Sequence, residues 1–290
     1  MVKNPAVQSL NSLLMIPLLL KRIYFANRAR LFALIIIIAL FPFGCAGVKR
    51  PVPQEPLGIY EVERLIIDLR DQQEKVSSFF ASGSVLVKGW IWKSEADILI
   101  AGVRDPFKIK IEITHPWGSP IFHLLIDEER VEALSFSERR IYSGDLTPEA
   151  LAGFLPGTLC DRDLIWSVLR GFPLIERYHK AESTKKDEIK LLNKEGGDIE
   201  TIRLSSESLL PEIVIFPEKS LELLFSGFKE DSGIYYAEEV TVNNIEGAKD
   251  LVLKINKMVV NNNIPDEIFT LEKPPTFETV YMDEISGNPY

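Results

Sequence analysis

Apolar and polar residues alternate along most of the chain after Gly83. In Phe107–Thr114, the apolar side chains at every second position are separated by Lys108, Lys110 and Glu112. A period of two is that of a β-strand with one buried and one solvated face. The same alternation recurs at Val85/Val87, Ile98/Ile100, Ile189/Leu191, Ile202/Leu204, Ile213/Ile215, Leu221/Leu223/Phe225 and Leu251/Leu253/Ile255. Short polar connections exclude parallel crossovers, so the pattern predicts a mainly β protein with an antiparallel, meandering sheet of about 11 strands.

Two stretches have helical spacing instead. Residues 59–79 place apolar side chains from Val62 to Val76 on one stripe, with charged residues elsewhere. Residues 145–170 predict two short helices, the first capped by Thr147 with Pro148 at its first position, and the second beginning after Asp161.

The helices within residues 145–170 must bury their apolar stripes, and the inner face of the sheet is the large apolar surface available. We therefore expect a curled half-barrel with helices covering a concave apolar cavity, because a curled sheet of about 11 strands encloses more space than its side chains fill. The residues expected to line this cavity are Val85, Val87, Ile98, Ile100, Ile109, Ile111, Ile113, Leu223, Phe225, Leu251 and Leu253. The residues expected to form the helical lid are Leu151, Phe154, Leu155 and Trp166.

The N-terminus has the order of a secretory signal. Residues 1–44 contain five basic residues and no acidic one, and an apolar run from Leu31 to Phe41 precedes Gly44 and Cys45. The run is short for a membrane-spanning helix, which needs roughly 20 apolar residues. A cysteine directly after the apolar core indicates a lipoprotein signal with lipid attached to Cys45, although Pro42 stands where an aliphatic residue is usual. The alternative is an uncleaved anchor helix with an incidental cysteine. Residues 45–58 form a proline-rich tether.

Charge and side-chain chemistry argue against several classes of function. Without residues 1–44 the chain keeps 28 basic and 42 acidic residues, a net charge of about −14, which disfavours a nucleic-acid partner. His115, His123 and His179 lack metal-ligand spacing. Ser183–Lys186 fits the S-x-x-K pattern but is expected in a charged loop. We therefore expect no catalytic site, no metal and no cofactor.

The connection His115–Pro120 is unusual because it places a tryptophan between two strong strands. Pro116 and Gly118 shape the turn and leave Trp117 at its tip. Trp117 either folds back onto the sheet or is exposed as an aromatic wedge that meets a membrane or a partner.

The order of these parts resembles the LolA/LolB family of lipoprotein-localisation proteins. The resemblance rests on the signal ending in cysteine, the H-P-W-G-S loop at 115–119, the W-S-V-L-R-G-F-P stretch at 166–173, and Ile268–Leu271 followed by Pro274 and Pro275. It covers residues 59–275 and leaves 276–290 as an extended C-terminal tail.

The resemblance implies an 11-strand half-barrel whose cavity takes the acyl chains of lipoproteins. It also implies a periplasmic carrier as partner, a lipid-anchored position at the periplasmic face of the outer membrane, and Pro116, Trp117 and Gly118 as the membrane-insertion loop. In the receptor branch of the family the tip residue is leucine, and His115 replaces an asparagine. An envelope lipoprotein of the same fold with a structural or general lipid-binding role is the alternative. A lipid hydrolase would need a nucleophile and base that the sequence does not reveal.

Overall fold

The computed structural model describes residues 55–87, 95–156, 159, 161–244 and 251–282. These residues contain one open, curled sheet of 14 strands, three α-helices and two short 3₁₀ turns, at Pro217–Lys219 and Asp266–Phe269. The strands are β1 (Ser78–Val87), β2 (Ala96–Arg104), β3 (Phe107–Thr114), β4 (Pro120–Ile126), β5 (Arg130–Ser135), β6 (Arg140–Asp145), β7 (Lys180–Lys185), β8 (Glu188–Leu192), β9 (Asp198–Leu204), β10 (Pro211–Phe216), β11 (Leu221–Asp231), β12 (Ile234–Asn244), β13 (Leu251–Val260) and β14 (Glu278–Tyr281). The helices are α1 (Ile59–Glu74), α2 (Pro148–Ala152) and α3 (Arg162–Leu169).

The sheet consists of two meanders joined in the middle. Its strand order is β14-β6-β5-β4-β3-β2-β1-β13-β12-β11-β10-β9-β8-β7. Strands β1–β6 form one meander, strands β7–β13 form the other, and β1 pairs with β13 where they meet. Every pair of neighbouring strands is antiparallel except β14 and β6, which are parallel. The mainly β, half-barrel architecture expected from the sequence is therefore present in outline.

The expected number of strands, about 11, is wrong, and the reason lies in the strands that lack clean alternation. β5 buries Ala133, Leu134 and Ser135 in succession. β7 is a polar edge strand, and Ser183, expected in a charged loop, lies within it. β14 is a short edge strand inside the stretch expected to be a tail. Edge strands are often short and polar, so alternation does not reveal them.

The junction between β1 and β13 depends on a close backbone approach at Gly83. The register shifts between Ser82 and Gly83, which indicates a bulge. A Cβ atom at Gly83 would lie only 1.8 Å from the carbonyl oxygen of Lys254. A side chain there would push the two meanders apart.

Helix α1 covers part of the concave face, the face of the sheet that the helices pack against. The Glu61 carboxylate accepts a hydrogen bond from the Gly58 N–H at 2.9 Å, and Val62, Ile66 and Leu69 are buried. The helix ends at Glu74, five residues before the expected boundary, because β1 begins at Ser78. Val76 is buried as expected but lies outside the helix.

The two helices expected within residues 145–170 are present. The Thr147 hydroxyl caps α2 by accepting from the Ala150 N–H at 3.2 Å. The Asp161 carboxylate caps α3 by accepting from the Asp163 N–H at 2.8 Å. From Leu164 to Leu169 every residue of α3 is buried, so this helix is part of the core rather than a loose cover.

Candidate functional site: an apolar pocket beside an exposed aromatic loop

An apolar pocket lies on the concave face between the sheet and the segment that joins α2 to α3. Seven of the residues expected to line a cavity do line it: Val85, Val87, Ile98, Ile111, Ile113, Leu251 and Leu253. Four others, Ile100, Ile109, Leu223 and Phe225, are buried in the same core but away from the pocket. The lining that sequence reasoning missed includes Phe122 and Leu124 of β4, Leu159, and Ile165, Val168 and Leu169 of α3.

The pocket is small, with a cavity volume of about 50 Å³. A single water occupies roughly 10–15 Å³ by this measure, so the space would hold a few waters at most. The spacious cavity expected from the sequence is therefore not present in this conformation. Side chains from α3 and the segment before it occupy the interior that an empty curled sheet would leave.

The segment after α2 closes the outer side of the pocket. Phe154 packs against Phe122 and Tyr142, with ring centroids 5.7 and 5.6 Å apart. Leu155 lines the pocket beside Phe154, while Leu151 is fully buried behind it. These three expected lid residues therefore lie together over the sheet, and a long acyl chain could enter only if their segment moved.

Trp166, the fourth expected lid residue, lies in the core instead. Its indole is 2% exposed and meets the ring of Phe79 edge-on at 4.9 Å. Gly102 makes room for this pair, because a Cβ atom there would lie 2.6 Å from Phe79 and 3.1 Å from Trp166. The indole Nε1 has no hydrogen-bond partner among the described residues. Trp166 thus anchors α3 to the sheet and is absent from the pocket lining.

The loop between β3 and β4 is a defined turn with Trp117 at its tip. The His115 N–H donates to the Ser119 carbonyl at 2.8 Å, and the Gly118 N–H donates to the His115 carbonyl at 2.7 Å. Gly118 adopts a positive φ of 88°, a conformation that glycine tolerates without strain. Trp117 is 73% exposed, and its indole stacks on the His115 ring at 4.3 Å. Of the two arrangements considered for Trp117, the structure has the exposed one.

The pocket and this loop lie at the same end of the sheet. Ile113 near the end of β3 and Phe122 near the start of β4 line the pocket, and the loop joins these two strands. Consecutive hairpins of a meander alternate between its two ends. The β7–β8 hairpin is therefore at the opposite end, and there the Leu57 N–H donates to Ser183 at 3.0 Å, just before α1 begins. The chain thus enters the sheet domain far from Trp117.

A polar cluster lies under the other part of the helical layer, with Glu200 buried at its centre and the half-buried Glu176, Lys219 and Arg70 around it. Glu200 has no exposed surface, and burial raises its pKa to about 8. Its Oε2 accepts a hydrogen bond from the Glu176 N–H at 2.8 Å. Sequence reasoning missed this residue, although it shares its strand face with Ile202 and Leu204, and that parity was the available signal.

Arg170, at the end of α3, is a second buried ionisable side chain. It is 1% exposed, donates to the Gln72 carbonyl at 2.9 Å and lies 4.7 Å from the Phe172 ring centre. Burial lowers its pKa to about 9, so it remains a cation at neutral pH. The contact with Gln72 ties α3 to the end of α1.

The expected signal, residues 1–44, and the expected lipid-attachment residue Cys45 lie outside the described residues. Within the described ranges, no group of His, Cys, Asp or Glu could hold a metal ion. No helix in that part of the chain is long and apolar enough to cross a membrane.

No protein-family model and no curated protein matches the chain. Solved structures resemble it in fold. A domain from Vibrio parahaemolyticus described as an outer membrane lipoprotein-sorting protein has a TM-score of 0.47 at 12% identity, covering 73% of this chain and 97% of that one. A LolA superfamily protein from Nitrosomonas europaea has a TM-score of 0.48 at 13% identity, covering 72% and 97%. A DUF1329 family protein from Desulfovibrio piger has a TM-score of 0.45 at 11% identity, covering 73% and 97%.

One of these structures is described as a LolA superfamily protein, and the sequence resembles the same family. Because the TM-scores are below 0.5 and the identities are 11–13%, this similarity says nothing of what the chain binds.

Proposed function

We propose that this chain is a lipid-anchored envelope protein that binds acyl chains in its apolar pocket and delivers them to a membrane. The finer form of the proposal is a receptor that accepts lipoproteins from a periplasmic carrier and inserts them into the outer membrane. The observation that carries it is the position of the pocket, which lies at the same end of the sheet as the exposed Trp117 of the loop between β3 and β4.

The chemistry of the pocket supports an apolar ligand. Its lining consists of Val, Ile, Leu, Phe and Pro side chains, which offer no hydrogen bonds to orient a polar substrate. Each methylene moved from water into such a site contributes about 0.8 kcal/mol. The pocket must widen first, and the segment with Phe154 and Leu155 is the part whose displacement would do so.

The loop supports delivery to a bilayer. An indole suits the membrane interface, where an apolar ring and a polar N–H are both accommodated. Burial of the exposed Trp117 ring contributes on the order of 2 kcal/mol, which is too little to anchor a protein but enough to hold the pocket end against lipid. Anchoring is proposed for a diacylglyceryl group on Cys45, since two acyl chains hold a protein stably.

The proposed anchor and the loop can meet the same bilayer. The chain from Cys45 to Leu57, if extended, reaches about 45 Å. A ten-residue strand is roughly 33 Å long. The tether is therefore long enough to let the domain turn its Trp117 end towards the membrane that holds Cys45.

The first test measures binding of a fluorescent fatty acid to the chain lacking residues 1–54. Ile111→Glu places a charge in the pocket, which costs several kcal/mol unless water reaches it, and should abolish saturable binding. Leu99→Glu, on the opposite face of the sheet and 42% exposed, is the matched control and should bind as wild type does. Absence of saturable binding by the folded wild-type domain would remove the basis of the proposal.

The second test separates delivery from binding. Trp117→Glu should leave the fold and fatty-acid binding unchanged while blocking transfer of the bound probe to vesicles. Transfer at the wild-type rate by this variant would reject the role proposed for the loop.

One observation favours the structural form of the alternative, an envelope lipoprotein that binds no acyl chain. Core side chains enclose the cavity on most sides and leave a volume of only about 50 Å³. A domain that never opens would show this packing and no acyl binding, which is the outcome that the first test would then give.

A further inference from the structure

The carboxyl group of Glu200 is a buried acid that acyl binding does not require. Strand β9 places it beneath the helices with no exposed surface. Oε2 accepts one hydrogen bond, from the Glu176 N–H, whereas Oε1 has no partner among the described residues. An ionised carboxylate in this position would be poorly solvated, so the neutral acid is the form that the packing favours.

Glu200 holds a segment that continues directly from α3. We call residues Gly171–Tyr178, which join α3 to the start of β7, the strap. The Ile175 N–H donates to the Gln73 side chain at 3.1 Å, and the Arg70 guanidinium donates to the Glu176 carbonyl at 2.9 Å. The strap is thus fixed between α1 on one side and Glu200 of the sheet on the other.

Lys219 connects the strap to the far end of α3. Its ammonium group lies 2.7 Å from the Glu176 carboxylate and 3.9 Å from the carboxylate of Asp161, the residue that caps α3. The polar cluster therefore touches α3 at its first turn through Lys219 and at its last turn through the strap. Since α3 supplies Ile165, Val168 and Leu169 to the pocket, the cluster and the pocket both contact this helix.

We propose that Glu200 is a proton-controlled latch: its neutral form keeps the strap closed on the sheet, and its ionisation releases the strap. The charged groups that face it are the Glu176 carboxylate, which opposes ionisation, and Lys219 and Arg70, which favour it less strongly than burial disfavours it. The other titratable groups of the strap are Arg177, which is exposed, and Tyr178, which is half-buried with the Arg70 guanidinium over its ring; His179, the residue after the strap, is exposed.

The sign of the pH dependence follows from proton linkage. Burial raises the pKa of Glu200 to about 8 in the closed state, whereas a released, solvated glutamic acid titrates near 4.3. The closed state therefore binds the proton more tightly, and its advantage is complete below about pH 4. Between these values the ratio of released to closed molecules rises up to about tenfold for each pH unit, and it levels off above pH 8. Any effect on ligand entry rests on the proposed acyl-binding function, but release of the strap does not.

Amide hydrogen exchange of the full chain in detergent tests the latch without a ligand. Protection factors, corrected for intrinsic exchange, are measured from pH 5.5 to 9 for strap peptides and for β3 as an internal reference. Strap protection of the wild type should fall at least tenfold between pH 6 and 8.5 while β3 stays constant. Glu200→Gln should show high strap protection at every pH, and Glu212→Gln, an exposed glutamate of β10, should keep the wild-type profile.

A strap protection that does not change with pH in the wild type, or a Glu200→Gln variant that keeps the wild-type slope, overturns the latch. If Glu200→Gln fails to fold, the wild-type profile alone decides. A pH-dependent strap in a protein that binds no fatty acid would reject the proposed function and leave the latch standing. Fatty-acid binding by a protein whose strap protection does not change with pH would support the proposed function and reject the latch.

Discussion

The pocket and the polar cluster both adjoin α3, yet they are built from opposite chemistry. The pocket joins apolar side chains of β1–β4, β13 and α3, which stabilise one another without directional partners. The cluster buries Glu200 beside Glu176 and Lys219, where stability depends on one proton and a few hydrogen bonds. We therefore expect the apolar region to respond to an apolar ligand and the polar region to respond to pH.

The largest loss of stability is expected on removal of Trp166, which anchors α3 to the sheet. Trp166→Ala should lower the free energy of unfolding by about 3–5 kcal/mol, because a buried indole packed on Phe79 leaves a cavity when removed. Trp117→Ala provides a control with the same chemical change and should alter stability by less than about 0.5 kcal/mol, since that indole is 73% exposed. Urea denaturation followed by circular dichroism measures both. Equal losses in the two variants would contradict the distinct placement of the two tryptophans.

An effect whose size depends on pH is expected on the polar side. Glu200 has a folded-state pKa raised to about 8, so its contribution to stability is complete below about pH 4 and is lost as the pH rises through 8. Glu200→Gln should therefore gain stability relative to wild type between pH 5 and pH 9, by up to roughly 4 kcal/mol. Melting temperatures at both pH values measure the difference. A difference between variant and wild type that is the same at both pH values would contradict the raised pKa.

The smallest effect on stability is expected at the cover of the pocket. Phe154→Ala removes a half-buried ring from Phe122 and Tyr142, which should cost about 1 kcal/mol and speed the association of a fatty-acid probe. Phe136→Ala, a half-buried ring packed against His123 and Phe277 away from the pocket, is the control. Stopped-flow fluorescence should show faster association for the first variant only, and equal rates in both would contradict a covering role for Phe154.

Alternation predicted β1, β2, β3 and β13, four of the five strands that carry the pocket, because apolar and polar residues alternate in them. It missed β4, where Ile121 and Phe122 are buried in succession. In β3 the observed burial follows the sequence pattern residue by residue from Phe107 to Thr114. The same rule failed for β5, which buries consecutive residues, and for the edge strands β7 and β14, whose polar sequences carry no apolar face.

The site was harder to predict than the fold because burial depends on neighbours distant in sequence. Trp166 lies on the apolar stripe of a helix, which fits a lid or a core anchor equally well until Gly102 is known to make room for it. Glu200 occupies an apolar-face position of β9, and the strap that covers it comes from a loop with no periodic pattern. The size of the cavity depends on side-chain packing and is not encoded in spacing at all.

The central claim is that the apolar pocket binds acyl chains, and a photoreactive fatty acid tests it most directly. The chain is irradiated with a long-chain fatty acid that carries a terminal diazirine, and the labelled residues are located by peptide mass spectrometry. The account predicts saturable labelling in the segment from Phe154 to Leu159 and in β1–β4, competed by unlabelled fatty acid and lost in Ile111→Glu. Labelling that does not saturate, or that falls on the opposite face of the sheet around Phe80 and Leu99, would contradict it.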